Sequence, residues 1–215
     1  MPTTAEIINL DTTRPAFDKI SNVAQILAQG KIGIIPTRCL YGLATNAFNT
    51  KAVNRIFTIK GRAFQKPLLV LISHPDQVKD LAIDISPLAE KLMQRFWPGR
   101  VTFLLRAQKN LPKGLVGEGN KVGIRLVGHP VTKAVVTHAG VPLTGTSANL
   151  SGRPGCYRID QMNHAVLTAV DLVIDSGPLL GGKGSSVVDI TLPIPQMLRE
   201  GTLGAEEFNK VLAEL

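Results

Sequence analysis

The order of apolar and polar residues along the chain predicts helices that alternate with strands. In five segments the apolar residues recur every three or four positions, as on the buried face of a helix. Ser86 followed by Pro87 is a typical helix start, and Gly30 is a typical residue just after a helix end. The predicted helices cover 15–29, a segment that begins at Asn49 or Thr50, 86–97, 130–138 and 204–215.

Short apolar runs between these helices predict strands at 31–36, 67–73, 101–106, 122–126, 141–143, 171–175 and 186–191. The run PLLVLIS at 67–73 is uninterrupted, which is typical of a strand covered on both faces. Helices and strands mix without a strict βαβ order, and no break in composition divides the chain. We therefore predict one α/β domain around a mixed, twisted sheet. It covers 1–215, with a core of about 15–201 and a C-terminal helix of about 204–215.

The composition is that of a folded, basic protein. Of the 215 residues, 44% are hydrophobic and 19% charged, which excludes intrinsic disorder. Lysine and arginine exceed aspartate and glutamate by 24 − 16 = 8, and no long basic run accounts for the excess. The net charge of +8 favours anionic partners such as nucleic acid, nucleotides or phosphates. A basic protein without such a partner is the alternative that charge alone leaves open.

Several kinds of site do not fit this sequence. The two cysteines, Cys39 and Cys156, are too few for a disulfide framework or a zinc site, and the histidines lack metal-ligand spacing. The sequence contains no G-x-S-x-G nucleophile motif. Its start has no secretion signal, and no apolar run reaches the roughly 18 residues of a membrane span. We therefore expect a cytoplasmic protein.

The segment GPLLGGKG at 177–184 is close to a phosphate-binding P-loop but differs from it in two ways. Gly184 stands where that motif needs a hydroxyl for magnesium, and the following SVVDIT predicts a strand instead of a helix. We interpret the segment as a glycine-rich turn between two strands. Whether this turn lies beside a ligand stays open at this point.

Three polar segments are candidates for binding an anion. PTRCLYGL at 36–43 follows a strand, where α/β sheets commonly place ligands. KGR at 60–62, followed by KPL at 66–68, suits a polyphosphate clamp, although cations also suit a helix end electrostatically. TGTSANLSG at 144–152 combines hydroxyls, amides and glycines, as anion-binding loops do. Taken singly, each segment also fits an ordinary turn or polar loop.

The TSANLSG segment is not a helix start, because the glycines and proline at 152–155 break any following helix. We therefore expect the side chains of Ser147 and Asn149 to be free for a ligand.

These segments stand in a fixed order with PGRVTFLL at 98–105, VGIRL at 122–126, SSVVD at 185–189 and LREG at 198–201. In this combination the chain resembles the YrdC-like family, from about Ile20 to Gly201. It is similar to the short form, which lacks a second C-terminal domain. The resemblance implies the YrdC-like α/β fold, a twisted open mixed sheet with helices around a basic concave pocket.

The resemblance also implies an activity, the synthesis of L-threonylcarbamoyl adenylate and pyrophosphate from L-threonine, bicarbonate and ATP. This nucleotidyl transfer serves the t6A modification of tRNA. The implied partners are the three substrates, tRNA or other double-stranded RNA, and a downstream threonylcarbamoyl transferase, with no membrane contact. Magnesium would arrive with ATP, without a metal ligand from the protein and without an organic cofactor.

The family's site residues carry over to the matching positions of this sequence. Lys60 and Arg62 match the catalytic K-x-R pair, which is also implied to bind ATP. Arg125 matches the arginine that holds the carboxylate of the amino acid. The further ATP contacts implied are Lys121, Ser147, Asn149, Gly155 and Arg199, and the L-threonine contacts are Thr37, Arg125, Gly145 and Ser185.

The sequence departs from the family pattern PTET-x-YGL at Arg38 and Cys39, which replace an acid and a threonine. Gly155 stands where the family often has a serine. Two alternatives to the synthase therefore stay open. One is an RNA-binding or regulatory module with the same basic cavity, and the other is a paralogue that uses another amine or carbamoyl substrate.

Overall fold

The computed structural model describes residues 5–215. The first four residues, which belong to the predicted domain and to the start without a predicted secretion signal, lie outside the described residues. The helices are α1 (Phe17–Ala28), α2 (Thr50–Lys60), α3 (Pro87–Phe96), α4 (Pro130–Ala139), α5 (His164–Leu167) and α6 (Ala205–Ala213). Short 3-10 helices cover Pro75–Asp80, Lys113–Leu115 and Ile159–Gln161. Within the described part of the chain, none of the helices is both long and apolar enough to cross a membrane.

The strands are β1 (Glu6–Asn9), β2 (Gly33–Pro36), β3 (Tyr41–Ala44), β4 (Leu69–Ile72), β5 (Ala82–Ile83), β6 (Val101–Ala107), β7 (Val116–Gly117), β8 (Lys121–Leu126), β9 (Leu143–Ser147), β10 (Leu172–Asp175), β11 (Ser186–Asp189) and β12 (Gln196–Arg199). They form one sheet in the order β1-β10-β2-β3-β9-β4-β8-β6-β11-β12, with β5 beside β6 and β7 beside β8. The sheet is mixed, since β1/β10, β10/β2, β4/β8 and β6/β11 are parallel and the other pairs antiparallel. The predicted α/β fold with a mixed sheet is confirmed.

Successive residues of a strand face opposite sides of the sheet, and each side has its own apolar core. On one side α2, α3 and α6 pack over Val70, Phe103 and Ile124. On the other side α1 and α4 pack over strands β1, β10, β2 and β3, through residues such as Ile35 and Leu172. They also reach Leu71 of β4 and Leu143 of β9, but on this side they leave Leu69, Gly145 and strands β8, β6 and β11 uncovered, and these form the floor of a cavity.

Every helix boundary that the sequence predicts lies within two residues of the boundary in the structure, and the same holds for six of the predicted strands. For α2 only the start was predicted. The predicted strand 141–143 is wrong in its extent, because β9 begins at Leu143 and continues to Ser147. Pairing with β3 and β4 supplies this polar segment with backbone hydrogen bonds, so apolar side chains are not needed to make it a strand.

Strands β1, β3, β5, β7 and β12 are not predicted by the apolar pattern. Strand β3 forms an antiparallel hairpin with β2, in which Pro36 pairs with Tyr41. The segment PTRCLYGL therefore contains a hairpin turn and its return strand. This hairpin brings residues 37–40 to the edge of the cavity.

The start of α2 yields a testable prediction, because the side-chain oxygen of Asn49 accepts a hydrogen bond from the Ala52 N–H at 3.1 Å. Asn49→Ala should lower the free energy of unfolding by about 1 kcal/mol, since a helix-end N–H loses its partner. Urea denaturation followed by circular dichroism measures this change. Asn49→Asp keeps the acceptor oxygen and should stay near the wild-type value. Equal losses in both variants would show that α2 does not depend on this cap.

Candidate functional site

The uncovered half of the sheet encloses a cavity of about 1080 Å³. Its floor comes from alternate positions of five neighbouring strands, which all face the same side. The floor residues are Leu69, Thr102, Leu104, Lys121, Gly123, Arg125, Gly145, Ser147, Val187 and Asp189. The walls come from the β2–β3 turn, the segment after α2, the residues just before β11, and β12.

Gly145 keeps this floor open. A Cβ atom at this position would lie 2.7 Å from Cγ of Leu71 and 2.8 Å from Cδ1 of Leu69, on the neighbouring strand β4. A side chain at this position would therefore collide with the side chains of Leu69 and Leu71. Such a glycine in a strand lets a ligand approach the backbone closely, and the predicted contact of Gly145 with L-threonine stays a prediction.

The cavity lining is strongly basic. It contains more cationic side chains than carboxylates. The cations are Arg38, Arg62, Lys121, Arg125, Lys183 and Arg199, and the carboxylates are Glu118, Asp189 and Glu200. Lys121 pairs with Asp189 at 2.6 Å. The other five cations form no ion pair within residues 5–215. Unpaired cations in a concave, partly apolar site attract an anionic ligand.

Arg125 on β8 is partly buried in this lining. Burial lowers the pKa of its guanidinium to about 10; Cys39 raises this pKa and Arg199 lowers it. In the described part of the chain this guanidinium has no carboxylate partner. Its planar fork is therefore available for two oxygens of a carboxylate.

Arg62 and Arg199 are held in place by backbone carbonyls. Arg62 donates from Nε to the carbonyl of Lys66 at 2.7 Å, and Arg199 donates from Nη2 to the carbonyl of Ser185 at 2.7 Å. Burial lowers the pKa of both guanidiniums, and Arg199 lowers the pKa of Arg62 further. The charge of Arg199 lowers the pKa of Arg125 as well, so Arg199 lies within electrostatic reach of both other guanidiniums. This arrangement suits a ligand that carries several negative charges.

Lys60 differs from these arginines, because its side chain does not line the cavity. It is the last residue of α2 and is 2% exposed. Its Nζ donates to the backbone carbonyls of Ser147 and Asn149 and to Oδ1 of Asn149. Burial lowers the pKa of Lys60 to about 8, and the charge of Arg62 contributes. Lys60 thus holds the loop after β9 from the side that faces away from the cavity. Its predicted contact with ATP stays a prediction.

The expectation that the Ser147 and Asn149 side chains are free is wrong. The hydroxyl of Ser147 donates to Oδ1 of Asn149, and the amide of Asn149 donates to the carbonyl of Arg153. Polar side chains in a tight loop commonly bond to neighbouring groups in this way. Ser147 lines the cavity and its oxygen can still accept a hydrogen bond, whereas Asn149 does not line the cavity.

Three of the other predicted contacts reach the cavity with side chains that already have partners. The hydroxyl of Thr37 donates to the carbonyl of Leu40 at 2.5 Å, and Ser185 shares a hydrogen bond with Thr102. Lys121 is paired with Asp189; burial raises the pKa of this carboxyl, but hydrogen bonds from Lys121 and Thr191 outweigh it and hold the pKa below its usual value.

Gly155 does not line the cavity. A Cβ atom there would lie 2.7 Å from Cδ1 of Leu40, which is a lining residue. The glycine therefore lets Leu40 pack closely against the chain. A nucleotide contact by Gly155 stays a prediction.

The structure adds two functional candidates that lie within the motifs but were not among the predicted site residues. Thr102 is a polar residue in the apolar strand β6, and this exception was the signal available in the sequence. Tyr41 lines the cavity and its hydroxyl donates to the carbonyl of Gly177 at 2.7 Å, which ties β3 to the glycine-rich turn. Burial raises the pKa of Tyr41 to about 12. The glycine-rich turn lies between β10 and β11, as predicted, and brings Lys183 to the cavity.

Comparison with known proteins identifies the family. The family model for Sua5, YciO and YrdC proteins, described as telomere recombination, matches residues 25–201. The chain therefore belongs to the Sua5/YciO/YrdC family, which confirms the resemblance that its motifs indicated.

The threonylcarbamoyl-AMP synthase of Pyrococcus abyssi is 34% identical to this chain over 197 residues. The match covers 92% of this chain and 58% of the relative, so the chain spans little more than half of that relative's length. The crystal structure of P. abyssi Sua5 complexed with L-threonine matches with a TM-score of 0.89 and 34% identity, over 97% of this chain and 61% of that chain. The crystal structure of Escherichia coli YciO matches with a TM-score of 0.81 and 25% identity, over 96% of this chain and 99% of that chain. Both structures share the mixed α/β fold.

The position of Lys60 yields a second testable prediction. Lys60→Met keeps the length of the side chain but removes the ammonium, so the carbonyls of Ser147 and Asn149 lose their donor. Backbone amides of 148–153 should then exchange hydrogen at least about tenfold faster, as expected for the loss of a charged hydrogen bond worth more than about 1 kcal/mol. Hydrogen exchange with mass spectrometry measures this. Lys66→Met, at an exposed position, is the control. Unchanged exchange in Lys60→Met would exclude a role of Lys60 in holding the loop.

Proposed function

We propose that this chain catalyses the formation of L-threonylcarbamoyl adenylate and pyrophosphate from L-threonine, bicarbonate and ATP. The observation that carries the proposal is the convergence of Arg62, Arg125 and Arg199 in one cavity, without carboxylate partners in the described residues. One guanidinium suits the carboxylate of an amino acid, and two others suit a triphosphate. The activity named for the P. abyssi relative and the L-threonine bound to P. abyssi Sua5 support the proposal.

The chemistry requires positioning more than a covalent nucleophile. The amine nitrogen of threonine bonds to the carbon of bicarbonate with loss of water, which gives a carbamate. A carbamate oxygen then attacks the α-phosphorus of ATP, and the bond to pyrophosphate breaks. Negative charge grows on the phosphoryl oxygens and on the leaving pyrophosphate, where fixed cations stabilise it.

We assign these tasks to different guanidiniums of the cavity. Arg62 and Arg199 are held by backbone carbonyls and would contact the phosphates without having to reorganise. Arg125 would hold the carboxylate of threonine, with Thr37 and Ser185 nearby in the lining. Lys60 would act through the loop that it fixes, as a positioning residue.

Magnesium enters this proposal with ATP, bound to the phosphates. In the described residues no group of three or more histidine, cysteine, aspartate or glutamate side chains lies close enough to share a metal ion. The buried carboxylate of Asp189 is paired with Lys121. The phosphates and the guanidiniums would therefore share the work of neutralising charge.

The adenylate is an activated carbamoyl group, so a downstream transferase must pass it to its acceptor, which we propose to be tRNA. Direct contact with tRNA or other double-stranded RNA is a separate property from the synthase activity, since the basic lining would attract the phosphates of a nucleotide or of RNA. A gel-shift titration with a tRNA transcript, in the presence and absence of ATP, would answer it.

The role of the phosphate-side cations yields a third prediction. Arg62→Ala should lower the rate of adenylate formation by about 10²-fold, the scale of one removed stabiliser of developing charge. Pyrophosphate release, with threonine and bicarbonate omitted in turn, measures the rate. Arg158→Ala removes an arginine that is paired with Asp160 outside the cavity lining and should keep the wild-type rate. A folded Arg62→Ala variant with the wild-type rate would remove Arg62 from the mechanism.

The role of Arg125 yields a fourth prediction. Arg125→Ala should raise the Kd for L-threonine at least about tenfold while the Kd for ATP changes little, because a bidentate contact to a carboxylate is lost. Arg125→Lys keeps the positive charge but lacks the planar guanidinium, so its Kd for L-threonine should lie between those of the wild type and Arg125→Ala. Calorimetry with each ligand measures both constants. Equal losses for the two ligands would show that Arg125 supports the fold instead of the amino-acid site.

A second candidate function, synthesis of a related adenylate from another amine, is favoured by Arg38 and Cys39. Arg38 is exposed in the cavity lining and forms no ion pair within residues 5–215, so it adds a cation where the family pattern has an acid. Pyrophosphate release screened over the amino acids separates the two functions. A preference for an acidic amino acid over threonine would favour the second.

A further inference from the structure

Thr102 on β6 and Ser185 just before β11 form a pair of hydroxyls in the cavity lining. Their Oγ atoms lie 2.8 Å apart, and the two residues are 2% and 5% exposed. Neither hydroxyl has another hydrogen-bond partner within residues 5–215.

One of the two hydroxyl protons of this pair has no acceptor in the described residues. Two hydroxyls carry two O–H protons, and one of these makes the bond between them. Whichever oxygen donates, the other proton has no acceptor in the described part of the chain. Because an unpaired buried donor costs free energy, it needs an oxygen of a ligand or of water in the cavity.

The two side chains differ in how firmly they are held. The methyl group of Thr102 faces Gly123, where a Cβ atom would lie 3.3 Å from it, while the hydroxyl faces Ser185 on the other side. A β-branched side chain such as that of Thr102 has fewer accessible χ1 rotamers than an unbranched one. Ser185 is unbranched, so Thr102 is the partner that fixes the orientation of the pair.

The pair also lies beside the proposed amino-acid site. Phe103 of β6 pairs with Ile124 of β8 in antiparallel register, so Thr102 and Arg125 are neighbours on these two strands. Ser185 lies just before β11, on the far side of β6 from β8, so Thr102 stands between Ser185 and the strand of Arg125. The hydroxyl pair and the guanidinium of Arg125 therefore line the same part of the cavity. The carbonyl of Ser185 also accepts from Arg199 at 2.7 Å, which links the amino-acid side to the phosphate side.

We propose that Thr102 is a positioning residue for the amino-acid substrate. Its hydroxyl donates to Ser185, so that the hydroxyl of Ser185 donates in turn to the carboxylate held by Arg125. This inference rests on the proposed function and adds to it a residue that was not among the predicted site residues. Thr102 acts through Ser185 and does not itself touch the substrate.

The experiment compares variants of Thr102 in the adenylate assay. Thr102→Val keeps the branched shape and removes the hydroxyl, and it should raise the KM for L-threonine about tenfold, or about 1.4 kcal/mol, with the KM for ATP unchanged. Thr102→Ser keeps the hydroxyl, so its KM for L-threonine should lie close to that of the wild type. The double variant Thr102→Val with Ser185→Ala should match Ser185→Ala alone, because a residue that acts through Ser185 has no effect without it.

Thr45→Val is the matched control. Thr45 is a buried threonine outside the cavity lining whose hydroxyl donates to the carbonyl of Lys31 at 2.8 Å. It should change stability without changing either KM. Additive losses in the double variant, or an unchanged KM for threonine in folded Thr102→Val, would overturn the inference while the wild-type activity still supports the proposed function. A wild-type chain that releases no pyrophosphate with any amino acid would overturn the proposed function, and the inference with it.

Discussion

The architecture of the cavity depends on holding several cations in a partly apolar site without carboxylates beside them. Burial lowers the pKa of Lys60, Arg62, Arg125 and Arg199, which expresses the cost of removing each charge from water. Backbone carbonyls offset this cost for Lys60, Arg62 and Arg199. Arg125 has no carboxylate partner in the described residues. An anionic ligand beside Arg125 would therefore offset the largest uncompensated cost of burying a charge in the cavity.

The parts of the fold with strong periodicity were predictable from the sequence. The apolar face of α2, with Val53, Ile56 and Phe57, is buried as its spacing predicts. The uninterrupted run of β4 lies in the middle of the sheet, as expected for a strand with two covered faces. The order of the polar motifs predicted the family, and through it the cavity.

The remaining features depend on contacts between distant segments, which the sequence does not encode locally. The polar strand β9 exists because β3 and β4 pair with it on both sides. Lys60 and Arg62 stand two residues apart, yet Gly61 in a left-handed conformation turns the chain between them. One side chain is therefore directed behind the loop and the other into the cavity. The mutual hydrogen bonds of Ser147 and Asn149 likewise follow from the turn that brings them together.

The position of Arg199 on the last strand of the sheet has a consequence for how a ligand enters and leaves. In the described part of the chain, β12 is an edge strand that pairs with β11 alone, and most of its residues are exposed. Edge strands with few buried contacts open at a small fraction of the free energy of global unfolding. Each such opening would carry Arg199 away from the phosphate side and widen the cavity without disturbing the buried floor. In the proposed reaction, the rate at which pyrophosphate leaves would then depend on the fraying of one short strand.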